Sequence, residues 1–61
     1  MKFDLYQART HARFSQEEIA KKLGIAKLTY QHYEHGDRKM RVDVAEKFAK
    51  EVGIPMRQII F

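Results

Sequence analysis

The segment from Ser15 to Gly24 constrains the fold of this chain more than any other stretch of its sequence. It begins with Ser-Gln-Glu-Glu, a capping box in which the Ser15 hydroxyl can accept a hydrogen bond from the amide of Glu18 while the Glu18 carboxylate accepts one from the amide of Ser15. It ends at Gly24, because the residue that follows a helix usually needs a positive φ, which glycine adopts at little cost. The segment therefore predicts a short helix over Gln16–Leu23.

A second short helix is predicted close behind the first. Only two residues separate Gly24 from a new helical pattern, which runs over Lys27–His35 and stops at Gly36. Two short helices joined by a tight turn that opens on glycine form the helix-turn-helix arrangement. We therefore expect a helix-turn-helix over about residues 16–35.

The two sides of this second helix differ in chemistry, since each residue of a helix turns about 100° from the one before. The inward side is predicted to carry Ala26, Tyr30 and Tyr33, with both tyrosine hydroxyls reaching solvent or backbone. The opposite side carries longer, mostly polar side chains: Leu28, Gln31 and His35, flanked by Lys27 and His32. A polar outward face with such reach is typical of a helix that enters a groove of DNA.

Three further helices are predicted from apolar spacing. The first covers residues 2–12, where leucine and alanine recur at helical intervals, and a later one covers Val42–Val52, which carries a broad apolar stripe. The last begins at Pro55, whose missing N–H costs nothing at the first helical position, and its inward residues would be Met56, Ile59 and Ile60. The expected fold class is all-α, with five short helices in a single domain over residues 1–61.

Composition narrows the choice of partner and location. Twelve Lys and Arg against eight Asp and Glu give a net charge of +4 and a pI near 9.6, which fits a polyanionic partner. The N-terminus has no apolar run of signal-peptide length, and no stretch approaches the roughly 18 apolar residues of a membrane span. A cytoplasmic protein without membrane contact is therefore expected.

The residues offer little for metal binding or catalysis. There is no cysteine, and His32 and His35 would need further ligands to hold a metal, whereas His11 belongs to another predicted helix. A glycine-rich phosphate loop and a plausible acid–base pair are both missing. We expect no enzyme activity, no metal, no cofactor and no small-molecule ligand.

Several short motifs, in their order and spacing, are similar to those of the phage-repressor and Cro-type helix-turn-helix family, which includes the Xre-like bacterial regulators. They are Arg9, the run Ser-Gln-Glu-Glu-Ile-Ala from Ser15, Leu23-Gly24-Ile25, Tyr33-Glu34-His35-Gly36, and the run Phe-Ala-Lys-Glu-Val-Gly-Ile from Phe48. The resemblance covers nearly the whole chain and implies a lambda-repressor-like DNA-binding domain. It also implies a sequence-specific transcriptional regulator, most simply a repressor. Such a protein would bind double-stranded DNA at a palindromic operator as a homodimer, with its third helix in the major groove.

The resemblance also assigns roles to individual positions. Base edges would be read by Lys27, Leu28, Gln31 and His32. The DNA backbone would be held by Ser15, Gln16, Arg38, Lys39 and Arg41. Arg9 and Glu34 occupy positions where the family often forms an ion pair between the first and third helices. The chemistry of two readers is specific, because Gln31 can bond N6 and N7 of adenine and Leu28 can meet a thymine methyl.

Four places depart from the family pattern. Ala26 stands where Ser or Thr usually caps the third helix, at a cost of about 1 kcal/mol. Arg13 replaces a frequent glycine after the first helix, and Tyr30 fills a slot usually held by a small aliphatic residue. Met40-Arg41 replaces a common Pro-Ser start of the fourth helix.

The run Ile-Ile-Phe at residues 59–61 is more apolar than a surface segment needs to be. We therefore expect Ile59 and Phe61 to contribute to a small symmetric dimer contact.

A second class of function remains open, because a fold does not fix a function. An antitoxin or adaptor would use the same fold mainly to bind a protein partner. An apolar outward face on the third helix would favour that interpretation, whereas the polar and basic face of this chain favours DNA. Membrane-surface binding is disfavoured because the apolar stripes are needed for the core.

Overall fold

Four α-helices and one 3-10 turn follow one another along residues 2–61, the part of the chain that the computed structural model describes. They are α1 Leu5–His11, α2 Gln16–Leu23, α3 Lys27–His35, α4 Val42–Val52 and the 3-10 turn Met56–Gln58. Helices α2, α3 and α4 have the predicted bounds, and the all-α class is confirmed. Within residues 2–61, no helix has the length and apolarity that crossing a membrane requires.

The turn between α2 and α3 is closed by backbone hydrogen bonds. The amide of Gly24 donates to the carbonyl of Lys21 at 3.1 Å, and the amide of Ile25 donates to the carbonyl of Ala20 at 3.0 Å. Gly24 has the positive φ that the sequence predicts, 72°. A left-handed residue in this position satisfies the last carbonyls of a helix, and here it sets α3 directly behind α2.

The turn between α1 and α2 uses Arg13 in the same left-handed conformation, with φ 65°. Its amide donates to the carbonyl of Thr10 at 3.0 Å, and the amide of Phe14 donates to the carbonyl of Arg9 at 3.2 Å. A residue with a side chain is less stable in this region by about 1–2 kcal/mol, which explains why glycine suits the position. The turn forms with arginine nevertheless.

The first helix begins later than predicted, at Leu5 instead of residue 2. Asp4 caps it: the Asp4 carboxylate accepts from the amide of Gln7 at 2.7 Å, and the side-chain oxygen of Gln7 accepts from the amide of Asp4 at 3.0 Å. Phe3 lies outside the helix and forms a parallel β-bridge with Ile59. The helical spacing of residues 2–12 therefore extends further than the helix itself.

The predicted fifth helix is reduced to the 3-10 turn, and the chain continues in an extended conformation. The amide of Phe3 donates to the carbonyl of Gln58, and the amide of Ile60 donates to the carbonyl of Phe3, both at 2.7 Å. Extended backbone turns successive side chains to opposite sides, so Ile59 is buried while Ile60 is 55% exposed. Of the three residues expected to face inward, Met56 and Ile60 are exposed and only Ile59 is buried.

The largest fully buried side chains of the core are Ile19, Tyr30 and Phe48. The rings of Tyr30 and Phe48 stack with their centroids 6.2 Å apart, and Phe61 meets Phe48 edge-on at 6.3 Å. Burial of each such side chain contributes about 1.5–3 kcal/mol, so this cluster holds α2, α3 and α4 together. Ala26, which was expected to face inward, is exposed because it is the residue before the first turn of α3.

Candidate nucleic-acid interface

Helix α3 presents a mostly polar side to solvent. Lys27 and Leu28 are exposed, Leu28 to 63%, while Gln31 and His32 one turn later are half-buried. Because residues four apart stack on one side of a helix, these four side chains form one continuous surface. They are the four residues that the resemblance implies for base reading, and we call this surface the α3 face.

The loop between α3 and α4 borders the α3 face with positive charge. Arg38, Lys39 and Arg41 are all exposed. Arg41 Nε lies 3.4 Å from Asp43 Oδ1, but both side chains are mainly in solvent, where such a pair contributes little stability. Within residues 2–61, Arg38 and Lys39 form no ion pair. Within the described residues these two exposed side chains are therefore available to an outside partner.

His32 and His11 have different neighbours. His32 Nδ1 is 3.3 Å from Asp37 Oδ2, and His11 lies against Phe3 with ring centroids 5.5 Å apart. Across residues 2–61, no three His, Asp or Glu side chains are grouped as metal ligands. The α3 face and the neighbouring loop therefore offer hydrogen-bonding and charged groups.

Behind the α3 face, Glu34 is the centre of a hydrogen-bonded cluster. Arg9 Nε lies 2.6 Å from Glu34 Oε2, and Arg9 Nη1 donates to the carbonyl of Phe14 at 2.8 Å. The hydroxyl of Tyr30 donates to the same Glu34 oxygen at 2.7 Å. The side chains of Arg9 and Glu34 are only 10% and 6% exposed, so the structure brings α1 and α3 together through a buried pair.

The hydrogen bonds of this cluster stabilise the ionised forms of Glu34 and Arg9. Burial alone would raise the pKa of Glu34, but the hydrogen bonds from Arg9, Tyr30 and Gln16 outweigh burial and lower it. Burial likewise opposes the charge of Arg9, but the hydrogen bond and the charge of Glu34, together with the contribution of Tyr30, outweigh burial and raise the pKa of Arg9. Burial and the neighbouring Glu34 carboxylate raise the pKa of Tyr30. Both ions and the neutral phenol therefore persist at neutral pH.

Two glutamines connect the buried cluster to the α3 face. Gln16 Nε2 donates to Glu34 Oε1 at 3.1 Å, and Gln31 Nε2 donates to Gln16 Oε1 at 3.1 Å. Both bonds are partly buried. Sequence reasoning missed them, because Gln16 and Gln31 lie on different helices and no local pattern relates the two. It also missed the bond of the Tyr30 hydroxyl, which was expected to reach solvent or backbone.

The start of α2 has the predicted capping box. The Ser15 hydroxyl accepts from the amide of Glu18 at 3.0 Å, and the Glu18 carboxylate accepts from the amide of Ser15 at 2.8 Å. The backbone and side-chain hydrogen bonds of Ser15 lower the pKa of Glu18. The Ser15 oxygen is thus engaged in holding the helix start, beside Gln16 and the buried cluster.

The residues expected at a dimer contact have different environments. Ile59 is buried in the core beside Phe3, so it offers little surface to a second subunit. Phe61 is 37% exposed and rests edge-on against Phe48, and Ile60 points outward. The apolar surface that this segment leaves for a partner therefore consists of Ile60 and the outer part of Phe61.

Comparison with known proteins identifies two similarities. The sequence model of the family described as Helix-turn-helix matches residues 5–59. The cryptic phage CTXphi transcriptional repressor RstR of Vibrio cholerae is 35% identical over 52 residues, which are 85% of this chain and 47% of that protein. The chain thus spans about half the length of this curated relative.

Proposed function

The chain belongs to the Xre-like helix-turn-helix family, and from this premise we propose that it is a sequence-specific DNA-binding transcriptional regulator, most simply a repressor. The observation that carries the proposal is the α3 face: an exposed helix side with hydrogen-bonding and cationic groups, bordered by a basic loop. In this proposal α3 enters the major groove of double-stranded DNA. The function is binding without catalysis or a cofactor, exercised in the cytoplasm.

Base reading is proposed for the four side chains of the α3 face, each by its own chemistry. Gln31 would bond adenine N6 and N7, a pairing that discriminates against other bases by about 1–3 kcal/mol. Lys27 would bond guanine O6 or N7, and Leu28 would meet a thymine methyl. His32 would bond a base edge through its remaining ring nitrogen, Nε2.

Backbone contacts are proposed for both edges of the α3 face. At one edge, Gln16 and Ser15 begin α2, and the free amides of a helix N-terminus attract phosphate. Gln16 uses one of its two amide hydrogens on Glu34, so its second hydrogen is open to a phosphate oxygen. At the other edge, Arg38, Lys39 and Arg41 would neutralise phosphates, which fixes position without reading sequence.

We propose further that the protein occupies a palindromic operator as a homodimer. A single helix-turn-helix reads few base pairs, and dimers gain specificity by spanning half-sites about 34 Å apart. Ile60 and Phe61 supply the apolar contact, which is small enough for the free protein to be largely monomeric.

Selection of random DNA duplexes by the immobilised protein, followed by sequencing, tests this function. The expected result is a palindromic site with two half-sites, both protected in footprinting. Deletion of Ile60 and Phe61 should reduce cooperative occupancy of the two halves. A lack of enrichment over unrelated sequences would contradict the proposal and favour a protein-binding antitoxin or adaptor instead.

A further inference from the structure

A continuous chain of hydrogen bonds runs from the buried Arg9–Glu34 pair to the α3 face. It passes from Glu34 to Gln16 and from Gln16 to Gln31, with both side-chain distances at 3.1 Å. Only the last residue, Gln31, belongs to the surface that is proposed to read bases. This series of hydrogen bonds therefore connects the buried Glu34 to Gln31, which is proposed to contact DNA.

The direction of each amide in this chain is forced by chemistry. Glu34 is ionised, since the hydrogen bonds around it lower its pKa, and an ionised carboxylate can only accept. Gln16 must therefore turn its NH₂ group toward Glu34, which leaves its carbonyl oxygen facing Gln31. Gln31 must then turn its own NH₂ group toward Gln16.

This direction leaves Gln31 with the groups that adenine requires. One hydrogen of its NH₂ group is used by Gln16, so one donor and the whole carbonyl oxygen remain. Adenine offers an acceptor at N7 and a donor at N6, which these two groups match. A Gln31 fixed in advance also loses less side-chain entropy on binding than a freely rotating one.

We propose that Glu34 is a positioning residue for base recognition, which sets the amide orientation of Gln16 and, through Gln16, the donor and acceptor that Gln31 presents to DNA. This inference rests on the proposed function. It gives Glu34 a role in specificity in addition to its place in the buried ion pair. Gln16 then acts in specificity as well as on the DNA backbone.

The test is the preference for adenine at the base pair that Gln31 reads, identified by comparing sites selected by the full chain and by its Gln31→Ala variant. Preference is the ratio of two Kd values, one for the selected duplex and one for the same duplex with that base pair replaced. In Gln16→Met, a side chain of similar length removes both amide contacts, and the Arg9 and Tyr30 bonds to Glu34 are kept. The expected result is a loss of preference on the order of tenfold.

Three further variants separate the positioning of Gln31 from other effects on DNA binding. Adding Gln31→Ala to Gln16→Met should lower the preference no further than Gln31→Ala alone. Glu34→Gln, with folding verified by circular dichroism, should also lose preference, because a neutral amide lets Gln16 turn either way. Lys39→Met is the matched control: it should weaken both duplexes equally and leave the preference unchanged.

Several outcomes would overturn the inference. Full preference in Gln16→Met, or in folded Glu34→Gln, would mean that Gln31 needs no positioning. Equal weakening of both duplexes by Gln16→Met would make Gln16 a phosphate ligand only. If the unaltered protein has no preferred duplex, the proposed function itself fails, and this inference fails with it.

Discussion

Two regions of the molecule differ in what determines their structure. One is the helix-turn-helix at residues 16–35, and the other is the pair of terminal segments near Phe3 and Ile59. In the first region, caps, a turn glycine and apolar spacing act within a few residues, and both helices have the predicted bounds. In the second, Phe3 and Ile59 pair across 56 positions of the sequence, the first helix is shorter than predicted, and the predicted last helix is reduced to a 3-10 turn. The helix-turn-helix is therefore locally encoded, whereas the edge of the core is closed by long-range contacts.

The largest loss of stability is expected from breaking the buried Arg9–Glu34 pair behind the helix-turn-helix. Glu34→Ala leaves the Arg9 guanidinium buried without its partner, and such a loss typically costs about 3–5 kcal/mol. We expect a marked drop in melting temperature, measured by circular dichroism. The exposed Glu17→Ala serves as the control and should change it little. An unaltered melting temperature in Glu34→Ala would remove the pair from the stability of the domain.

A smaller loss of stability is expected from truncating a buried side chain in the paired terminal segments. Ile59→Ala removes a buried side chain at the paired ends, which should cost about 2 kcal/mol, near the lower end for such truncations. The neighbouring Ile60→Ala, on the exposed side of the same segment, should leave monomer stability nearly unchanged. Urea unfolding measures both. Equal losses in the two variants would mean that residues 59–60 do not alternate between core and solvent.

Acid tests the Glu34 cluster separately, because protonation of Glu34 removes the stabilisation that its charge provides. The pKa of Glu34 is lowered on folding from its ordinary value near 4.5, so its stabilisation is present above pH 4.5 and is lost as the pH falls toward the folded pKa. The free energy of unfolding of the unaltered chain should therefore approach that of Glu34→Gln below pH 4.5. Other carboxylates are common to both proteins and cancel in the difference. A gap that stays constant between pH 7 and pH 3 would contradict this assignment.

The smallest expected effect lies in the turn before α2. Arg13→Gly removes the strain of a side chain in the left-handed conformation, but it also raises the backbone entropy of the unfolded state. The expected net gain in the free energy of unfolding is about 0.5–1 kcal/mol. Arg13→Ala, which keeps the left-handed strain without the charge, is the matched control and should gain nothing. Thermal unfolding compares the two. A gain shared by both variants would point to the arginine charge in place of the backbone.

The division between local and long-range information explains how much the sequence could predict. Ser15, Glu18 and Gly24 act on their own neighbours, so α2 and its turn follow from the chain alone. The pairing of Ile59 with Phe3 and the exposure of Ile60 could not be foreseen, because both depend on the extended backbone between Gln58 and Ile60 and on contact with a distant part of the chain. At the candidate site the same limit applies. The residue types of the α3 face are visible in the sequence, but the bonds from Glu34 through Gln16 to Gln31 join three separate helical positions and appear only once the helices pack.

In the proposed function, the α3 face reads bases while the neighbouring loop holds the DNA backbone. The most direct test of this proposal is a salt series of DNA affinities for Gln31→Ala and Arg38→Ala, each on the selected duplex and on a duplex of unrelated sequence. Gln31→Ala should lose about 1–3 kcal/mol on the selected duplex alone. Arg38→Ala should weaken both duplexes alike and reduce the slope of log affinity against log salt by about one. If both variants instead lose the same affinity on every sequence, α3 is not the reader.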